Sequence, residues 1–327
     1  MLSVTEILNR DDKVRKVDVT NENQYCHPTY FVNDLLDYMY ITELIRKSTS
    51  SETFLDTYVC YRGMENLNWA LEPGILVNNL LSEEENIYNE FEKLNPSDFM
   101  HINSSLDKMA KMQHFGLPTR LLDFSLNPLV ALFFACHQTD KDNVQYDARV
   151  VVHFSENDDE LMSQMICNNA FGDKKDNLPY SLNDMNIRYM NYTDYTIVLP
   201  SYITEREIRQ SSIFLLFPQI IDFKRQCYTT QIRKIEPDFM KNFFFSIIIN
   251  SNSKKLILEQ LDNIGINSMS LFAELEHSAK YIKEKHKKRV AISIDKLNEL
   301  IEDCRSRNEM EKILEYQDMI KYKLGDI

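Results

Sequence analysis

The sequence predicts an α+β fold, with a central mixed or antiparallel sheet, flanking helices and a helical hairpin at the C-terminal end. Several segments are rich in β-branched and aromatic residues, which is typical of strands. They are separated by unequal, partly helical insertions, and this favours α+β over a regular βαβ winding. Apolar residues recur at helical spacing on both sides of a polar interruption in residues 293–324, which predicts the hairpin. We therefore expect a helical N-terminal segment over residues 1–50, a main domain over 51–290 and the hairpin over 291–327.

Local patterns predict the individual elements. Residues 57–63 form a β-branched and aromatic run that Gly63 should end. Residues 82–94 start with a capping-type Ser and acids, and they place Ile87, Phe91 and Leu94 on one helical stripe. Residues 126–137 are apolar around the whole circumference, which predicts a buried helix with Pro128 in its first turn. Further helices are predicted over 34–47, 104–113, 254–264 (closed by Gly265) and 276–289, strands over 147–155, 195–201, 211–217 and 243–249, and a long loop with short helices over 156–194.

The composition excludes several classes of protein. With 327 residues, 43% hydrophobic and 27% charged, the chain has the make-up of a soluble globular protein. A net charge of -13 opposes broad attraction to nucleic acid or to an anionic membrane surface. The six cysteines form no C-x-x-C pair, and neither G-x-G-x-x-G nor a P-loop occurs, so no metal cofactor and no Rossmann or P-loop site is expected. No apolar run is long enough to cross a bilayer and no signal peptide is apparent, so we expect a cytoplasmic protein.

Two regions carry the polar residues best suited to binding chemistry. Arg62 ends a predicted core strand and is followed by Gly63, so it is well placed to present a guanidinium fork to phosphate or carboxylate. Thr119, Arg120 and Asp123 lie after a Gly/Pro turn and directly before the predicted buried helix, where they could form the floor of an anion-binding pocket. The alternative is structural: Asp123 or Ser125 caps that helix, and Arg120 pairs with Asp123.

The remaining candidates have ordinary structural explanations beside the functional ones. His114 could act directly or could be a satisfied donor at a helix end. Arg206 and Gln210, just before a predicted strand, are most simply exposed loop residues. Trp69, the only tryptophan, is more simply a core anchor than a stacking platform.

These residues lie in segments that resemble the FRG-domain family, which is named for a Phe-Arg-Gly signature. That signature is Tyr61-Arg62-Gly63 here, and it is followed by Trp69 and Pro73. The family's Q-H-x-G-L-P-T-R-L-L-D block is similar to residues 113–124, and N-P-L-V-A-L-F-F-A matches its continuation. A later R-I-x-x-Q-x-G-x-F element is similar to residues 206–214, with Ser212 in the place of the glycine. The resemblance spans roughly residues 55–285.

A weaker resemblance concerns the order of motifs. An Arg on an early strand, a serine-bearing segment and a late polar position look like the Arg, Ser-Thr-Ser and Glu layout of ADP-ribosyltransferases. By that resemblance Arg62, with Arg120 and Thr119, would hold phosphates of NAD, and Ser125 would orient the nicotinamide ribose. Gln210 takes the late position, where an uncharged side chain cannot supply the usual carboxylate. Glu205 and Glu207 lie beside it, and Asp123 could also supply the missing charge, while His114 would orient a neighbour.

Two functions follow as expectations. The first is an ADP-ribosyltransferase-like enzyme, with NAD as co-substrate and an unknown macromolecular acceptor, in a bacterial or phage-related toxin or defence system; its catalytic residues would be Asp123, Gln210 and His114. The second is a non-catalytic module that binds a nucleotide or a partner in the same pocket. The C-terminal hairpin is similar to UvrB/UvrC interaction motifs, which implies a protein partner on its apolar face. The alternative is that its two helices close the core or dimerise the chain.

Overall fold

The fold is described from a computed structural model of the chain. The structure describes residues 15–16, 29–49, 58–137, 145–155, 167, 170–171, 195–201, 204–222, 227–232, 244–272, 275–307 and 309–324. The chain divides into two compact units, residues Met1–Asn267 and Ser268–Ile327. The long loop predicted over 156–194 lies almost wholly outside the described residues.

The first unit is built on one mixed sheet, which confirms the predicted α+β class. Its strand order is β1-β2-β10-β5-β3-β4-β7-β6, and the edge strand β1 has only two residues. Among the described strands of this sheet, the β2–β10 pair is parallel and the other neighbours are antiparallel. The strands are β1 Arg15–Lys16, β2 Thr29–Val32, β3 Tyr58–Met64, β4 Leu121–Ser125, β5 Ala148–Ser155, β6 Thr196–Val198, β7 Ser212–Leu216 and β10 Phe244–Ile249, while β8 Gln219–Asp222 and β9 Cys227–Ile232 form a separate antiparallel pair.

Strand pairing is extensive everywhere except in the middle of the sheet. β3 pairs with β5 along its whole length, and β4 pairs with β7 over all five of its residues. Between β3 and β4, however, the only paired residues are Tyr61 and Ser125. The sheet therefore consists of two well-paired parts that meet at a short junction.

Helices cover the sheet of the first unit. They are α1 Leu35–Thr49, α2 Gly74–Val77, α3 Glu84–Leu94, α4 Pro96–Phe99, α5 Ser105–His114, α6 Pro128–Cys136, α7 Glu205–Arg209 and α8 Lys254–Asn263. Helix α6 is the predicted buried helix; it begins after Asn127, whose side chain caps the Leu129 amide, and it packs on β3. A Cβ at Gly63 would meet the backbone of α6, so this glycine permits the close approach of strand and helix.

Two core clusters lie on opposite faces of the central strands. Leu122 and Phe124 of β4 belong to one cluster, and Leu121 belongs to the other together with residues of α3 and α5. Such alternation is the period-2 pattern of a strand buried on both faces. Asp123 is the exposed residue of β4 between these buried neighbours.

Several local predictions are corrected by the structure. Residues 29–32 lie in the N-terminal segment predicted to be helical, but they form β2, because β10 pairs with them in parallel from far along the chain. Leu94 is exposed, and Tyr88 is the fully buried residue of α3. The strand β3 continues one residue past Gly63.

The second unit contains α9 Ser268–Leu271, α10 Leu275–Ser306 and α11 Met310–Leu324. The predicted hairpin is present, with Ile301, Cys304 and Ile313 packed together between its helices. The helix predicted over 276–289 and the first helix of the hairpin are one continuous helix of 32 residues, which is a correction. In the described part of the chain, none of the helices is long and apolar enough to span a membrane.

Candidate functional site

A cavity of about 310 Å³ lies in the first unit beside the short β3–β4 junction. Residues of β3, α5, β4, α6, α7 and β7 line it. Its polar and charged lining consists of Arg62, Glu65, Gln113, His114, Asp123, Ser125, His137, Arg206, Glu207, Gln210 and Ser212, and its aromatic lining consists of Tyr61, Trp69, Phe124, Phe134 and Phe214. A cavity with apolar walls and a few convergent polar groups is the usual form of a small-molecule site.

Arg62 of β3 connects this strand to β4, next to the single residue pair that joins the two strands. Its Nη1 donates a hydrogen bond to the backbone oxygen of Asp123 at 2.7 Å and lies 3.8 Å from the Asp123 carboxylate. Its side chain is 24% exposed, and its Nε is buried without an acceptor among the described residues. Burial lowers the pKa of the Arg62 guanidinium, and the charge of Asp123 opposes this shift. The guanidinium keeps its charge, since arginine side chains are not deprotonated in proteins.

Gln113 fixes the other side of the Asp123 carboxylate. Its Nε2 donates to Asp123 Oδ1 at 2.7 Å, and its Oε1 accepts a hydrogen bond from the hydroxyl of Thr119. The helix that carries Gln113 ends in a Schellman turn, in which Gly116 has φ +88° and Leu117 donates to the Met112 carbonyl. This turn reverses the chain, so that the C-terminal end of α5 and strand β4 lie on either side of the Asp123 carboxylate.

Arg120 belongs to the core, away from the cavity. Its side chain is fully buried and forms a bidentate pair with Glu84 of α3, with Nε donating to Oε1 at 2.8 Å. Burial lowers the pKa of Arg120, but the charge and hydrogen bonds of Glu84 outweigh that cost and raise the pKa overall. Tyr88 also donates to Glu84, at 3.1 Å. Arg120 therefore anchors α3 to the strand start.

Ser125 ties the junction to the turn that precedes β7. Its hydroxyl donates to the backbone oxygen of Gln210 at 2.7 Å and accepts from the Asn127 amide at 3.0 Å. The next residue, Leu126, donates to the backbone oxygen of Ser211, which has a left-handed backbone with φ 47°. The turn at 210–211 is thereby held at the edge of the cavity.

Helix α7 places Glu207 in the cavity wall. Its side chain and Thr204 form a capping box, in which Glu207 Oε2 accepts from the Thr204 amide at 2.9 Å and from its hydroxyl at 2.6 Å. Glu207 is only 5% exposed, and its Oε1 is buried without a hydrogen-bond donor among the described residues.

Comparison with known proteins assigns part of the segment that carries this site to a family. Residues 57–144 match the family model of the FRG domain. The chain contains an FRG domain. No curated protein and no solved structure matches the chain. The matched segment supplies β3, α5, β4 and α6 of the cavity, whereas α7 and β7 lie beyond it.

The FRG-domain cavity brings together most of the residues singled out from the sequence. Arg62, His114, Asp123, Ser125 and Gln210 line it. Thr119 and Arg120 are not among its lining residues and are both buried. The catalytic and NAD-binding roles of these seven residues stay predictions.

The structure differs from the purely structural explanations that the sequence offered for several of these residues. The cap of α6 is Asn127, not Asp123 or Ser125, and Arg120 pairs with Glu84, not with Asp123. Arg206 and Gln210 line the cavity instead of lying in an exposed loop, since they belong to α7 and its C-cap. Trp69 is 43% exposed at the cavity, so the expectation of a core anchor is wrong.

Glu65 and His137 are cavity residues that the sequence did not single out. Glu65 directly follows β3, and His137 directly follows α6, where it stacks on Phe133 with ring centroids 4.8 Å apart. Both residues directly follow an apolar element, and in the sequence this position is a weak signal for a residue at a cavity.

The cavity carries both signs of charge. Its described lining includes the cations Arg62 and Arg206 and the carboxylates Glu65, Asp123 and Glu207. A simple anion would meet repulsion from three carboxylates, so the lining suits a ligand that combines phosphate with hydroxyl groups or a positive charge. The aromatic residues provide flat apolar surface for a ring.

Proposed function

We propose that the FRG domain binds NAD in this cavity and breaks the glycosidic bond between its ribose and nicotinamide. The observation that carries the proposal is Arg62, whose buried Nε has no acceptor among the described residues while its guanidinium lines a cavity of about 310 Å³. A buried donor without a partner is costly, and a phosphate oxygen would satisfy it with a charge-assisted bond. NAD combines such phosphates with hydroxyls and a cationic ring, which matches the mixed charge of the lining.

Asp123 is the residue we place nearest to the chemistry. Gln113 and Arg62 hold its carboxylate, yet its side chain remains 63% exposed and faces a cavity with aromatic walls. In the proposed reaction the bond from ribose C1′ to nicotinamide breaks, and the bonding electrons leave with neutral nicotinamide. A carboxylate close to the oxocarbenium-like carbon stabilises the positive charge that develops there. Water or an acceptor group then adds to the carbon and loses a proton, which gives ADP-ribose or an ADP-ribosylated macromolecule.

The biological setting follows from the reaction in this proposal. An enzyme that consumes NAD depletes a dinucleotide that the cell needs, and this is the basis for a bacterial toxin or phage-defence role. The acceptor in this proposal is a macromolecule.

A second candidate is a non-catalytic module that binds a nucleotide without cleaving it. The observation that favours it concerns Ser125, whose hydroxyl is already engaged by the Gln210 carbonyl and the Asn127 amide. A hydroxyl with two backbone partners is poorly placed to orient a ribose as well.

Nicotinamide release from NAD separates the two candidates. We expect release by the wild-type protein, with or without cell lysate, and a loss of at least about a hundredfold in Arg62→Lys, because Lys keeps the charge but not the planar fork. Arg46→Ala, in an exposed pair with Glu43 on α1, is the matched control and should behave as wild type. Tight NAD binding without any release would support the binding module. Equal release by wild type and Arg62→Lys would show that the proposed site is wrong.

A further inference from the structure

Glu207 differs from the other glutamate of its short helix. Glu205 is a surface residue, with a side chain 66% exposed and paired to Arg209 one turn later. Glu207 is 5% exposed and lines the cavity. The two glutamates are two residues apart on the same short helix α7, but the side chain of Glu205 is exposed and that of Glu207 is buried.

The capping box uses one oxygen of Glu207, and the other oxygen has no hydrogen-bond partner in the described part of the chain. Oε2 accepts both the amide and the hydroxyl hydrogens of Thr204, and the Thr204 hydroxyl in turn accepts from the Glu207 amide at 3.2 Å. These contacts hold the side chain in one orientation. Oε1 is buried and receives no hydrogen bond from the described residues.

A helix cap alone does not account for this arrangement. Capping uses one carboxylate oxygen, and glutamate side chains are mostly exposed, so the second oxygen is ordinarily hydrated. Burying a carboxylate oxygen without a donor costs free energy, so the folded protein carries this cost unless something else supplies the donor. The cavity that Glu207 lines is the place from which a ligand can supply it.

We infer that Glu207 is a ligand-binding residue of the FRG-domain cavity, and that its free oxygen accepts a hydrogen bond from a sugar hydroxyl. A carboxylate accepts hydrogen bonds and repels anions, so it does not bind the phosphate itself. Ribose hydroxyls are neutral donors that suit it. This inference rests on the proposed function, and it assigns Glu207 to the ribose of the nucleotide that the cavity binds.

Arg62 and Glu207 together define the ligand class. Considering the described residues alone, Arg62 presents a buried donor without an acceptor and Glu207 a buried acceptor without a donor, and both line the same cavity. A phosphorylated ribose carries the complementary pair, with phosphate oxygens for Arg62 and hydroxyl hydrogens for Glu207.

The test compares three forms of the full chain, wild type, Glu207→Gln and Glu205→Gln, in titrations with NAD and with ribose 5-phosphate. We expect Glu207→Gln to bind both ligands roughly tenfold to a hundredfold more weakly, the range for a lost charge-assisted hydrogen bond. Glu205→Gln should bind as wild type does, since Glu205 is paired with Arg209 on the surface. Thermal unfolding without ligand checks that each variant is folded. Because the free oxygen is unsatisfied before ligand binds, Glu207→Gln should unfold no earlier than Glu205→Gln.

The outcomes separate this inference from the proposed function. If wild type binds NAD and Glu207→Gln binds it equally well, the assignment of Glu207 is wrong and the proposed function stands. If wild type binds ribose 5-phosphate but not NAD, the proposed function is wrong, and weaker binding of the sugar phosphate by Glu207→Gln would still support the assignment. If wild type binds neither ligand, or if Glu207→Gln unfolds several degrees earlier with unchanged affinity, Glu207 is a helix cap only.

Discussion

Replacing Gly63 by Ala should separate α6 from the sheet. A Cβ at this position would lie 1.9 Å from the Ala131 carbonyl oxygen and 2.5 Å from the Ala135 nitrogen, whereas ordinary contact begins at 3.4 Å. The helix would have to move by about 1.5 Å to restore that distance. Both obstructing atoms belong to the backbone, so no side-chain rotation relieves the clash.

The expected cost is large relative to the stability of a domain. Overpacking of a core typically costs about 1–3 kcal/mol, and a backbone obstruction belongs at the upper end or beyond. We expect Gly63→Ala to lower the free energy of unfolding by about 3 kcal/mol or more, a large part of the roughly 5–15 kcal/mol available.

Two other glycines provide matched controls. Gly74 starts α2, and a Cβ there would meet only Pro118 and the Thr119 amide at 3.5 Å or more, so Gly74→Ala should be neutral or stabilise by about 0.5 kcal/mol. Gly116 has open space around it but a φ of +88°, so Gly116→Ala should cost about 1–2 kcal/mol through backbone strain.

Urea unfolding followed by tryptophan emission measures all three variants. Trp69 is the only tryptophan and lies in the same unit as these glycines, so its emission reports on that unit. Failure of Gly63→Ala to fold would agree with the reasoning. A free energy of unfolding within about 0.5 kcal/mol of wild type would refute it, because the helix and strand could then not be as close as the structure places them.

Two further predictions concern the groups that hold the cavity in place. Glu84→Gln should destabilise the protein by about 3–5 kcal/mol in the same urea measurement, because it leaves the buried guanidinium of Arg120 without its counter-charge. Replacing Glu84 and Arg120 together by Leu and Met should cost less, and equal losses would contradict this account of the pair. Ser125→Ala should cost about 1–3 kcal/mol and weaken NAD binding, because the Gln210 carbonyl and the Asn127 amide both lose a partner. Unchanged binding and stability would show that the turn at Gln210 does not depend on this hydroxyl.

Several strands with β-branched or aromatic runs could be predicted from the sequence, but β2 and β4 could not. In β4 the run Leu-Leu-Asp-Phe-Ser has an exposed acid between buried residues, and it becomes a strand because β7 pairs with all five of its residues. In β2 the four residues Thr29–Val32 depend on β10, more than two hundred positions away. Such pairing is a property of tertiary structure, to which local propensity is a weak guide.

Some of the site residues could also be predicted from the sequence and others could not. The place of Arg62 in the cavity lining could be predicted, because the sequence shows it near the end of a strand and directly before Gly63. The role of Arg120 could not, since its partner Glu84 lies 36 residues earlier on another element. Glu207 differs from Glu205 in standing three residues after Thr204, which is the spacing of a capping box, and that box holds its side chain in the cavity wall.

Most residues of the FRG signature fix the backbone framework around the cavity, and fewer of them supply its chemical groups. Gly63 lets α6 approach the sheet, Arg120 binds α3, and Ser125 holds the turn before β7. Within residues 57–144, Arg62 and Asp123 supply the polar groups that we place at the phosphate and the reacting carbon. Glu207 lies on α7, outside that segment. It reaches the cavity because β7, the strand after α7, pairs with β4. A segment limited to residues 57–144 would therefore lack the sugar-binding half of the proposed site, and binding of NAD should require the chain through β7.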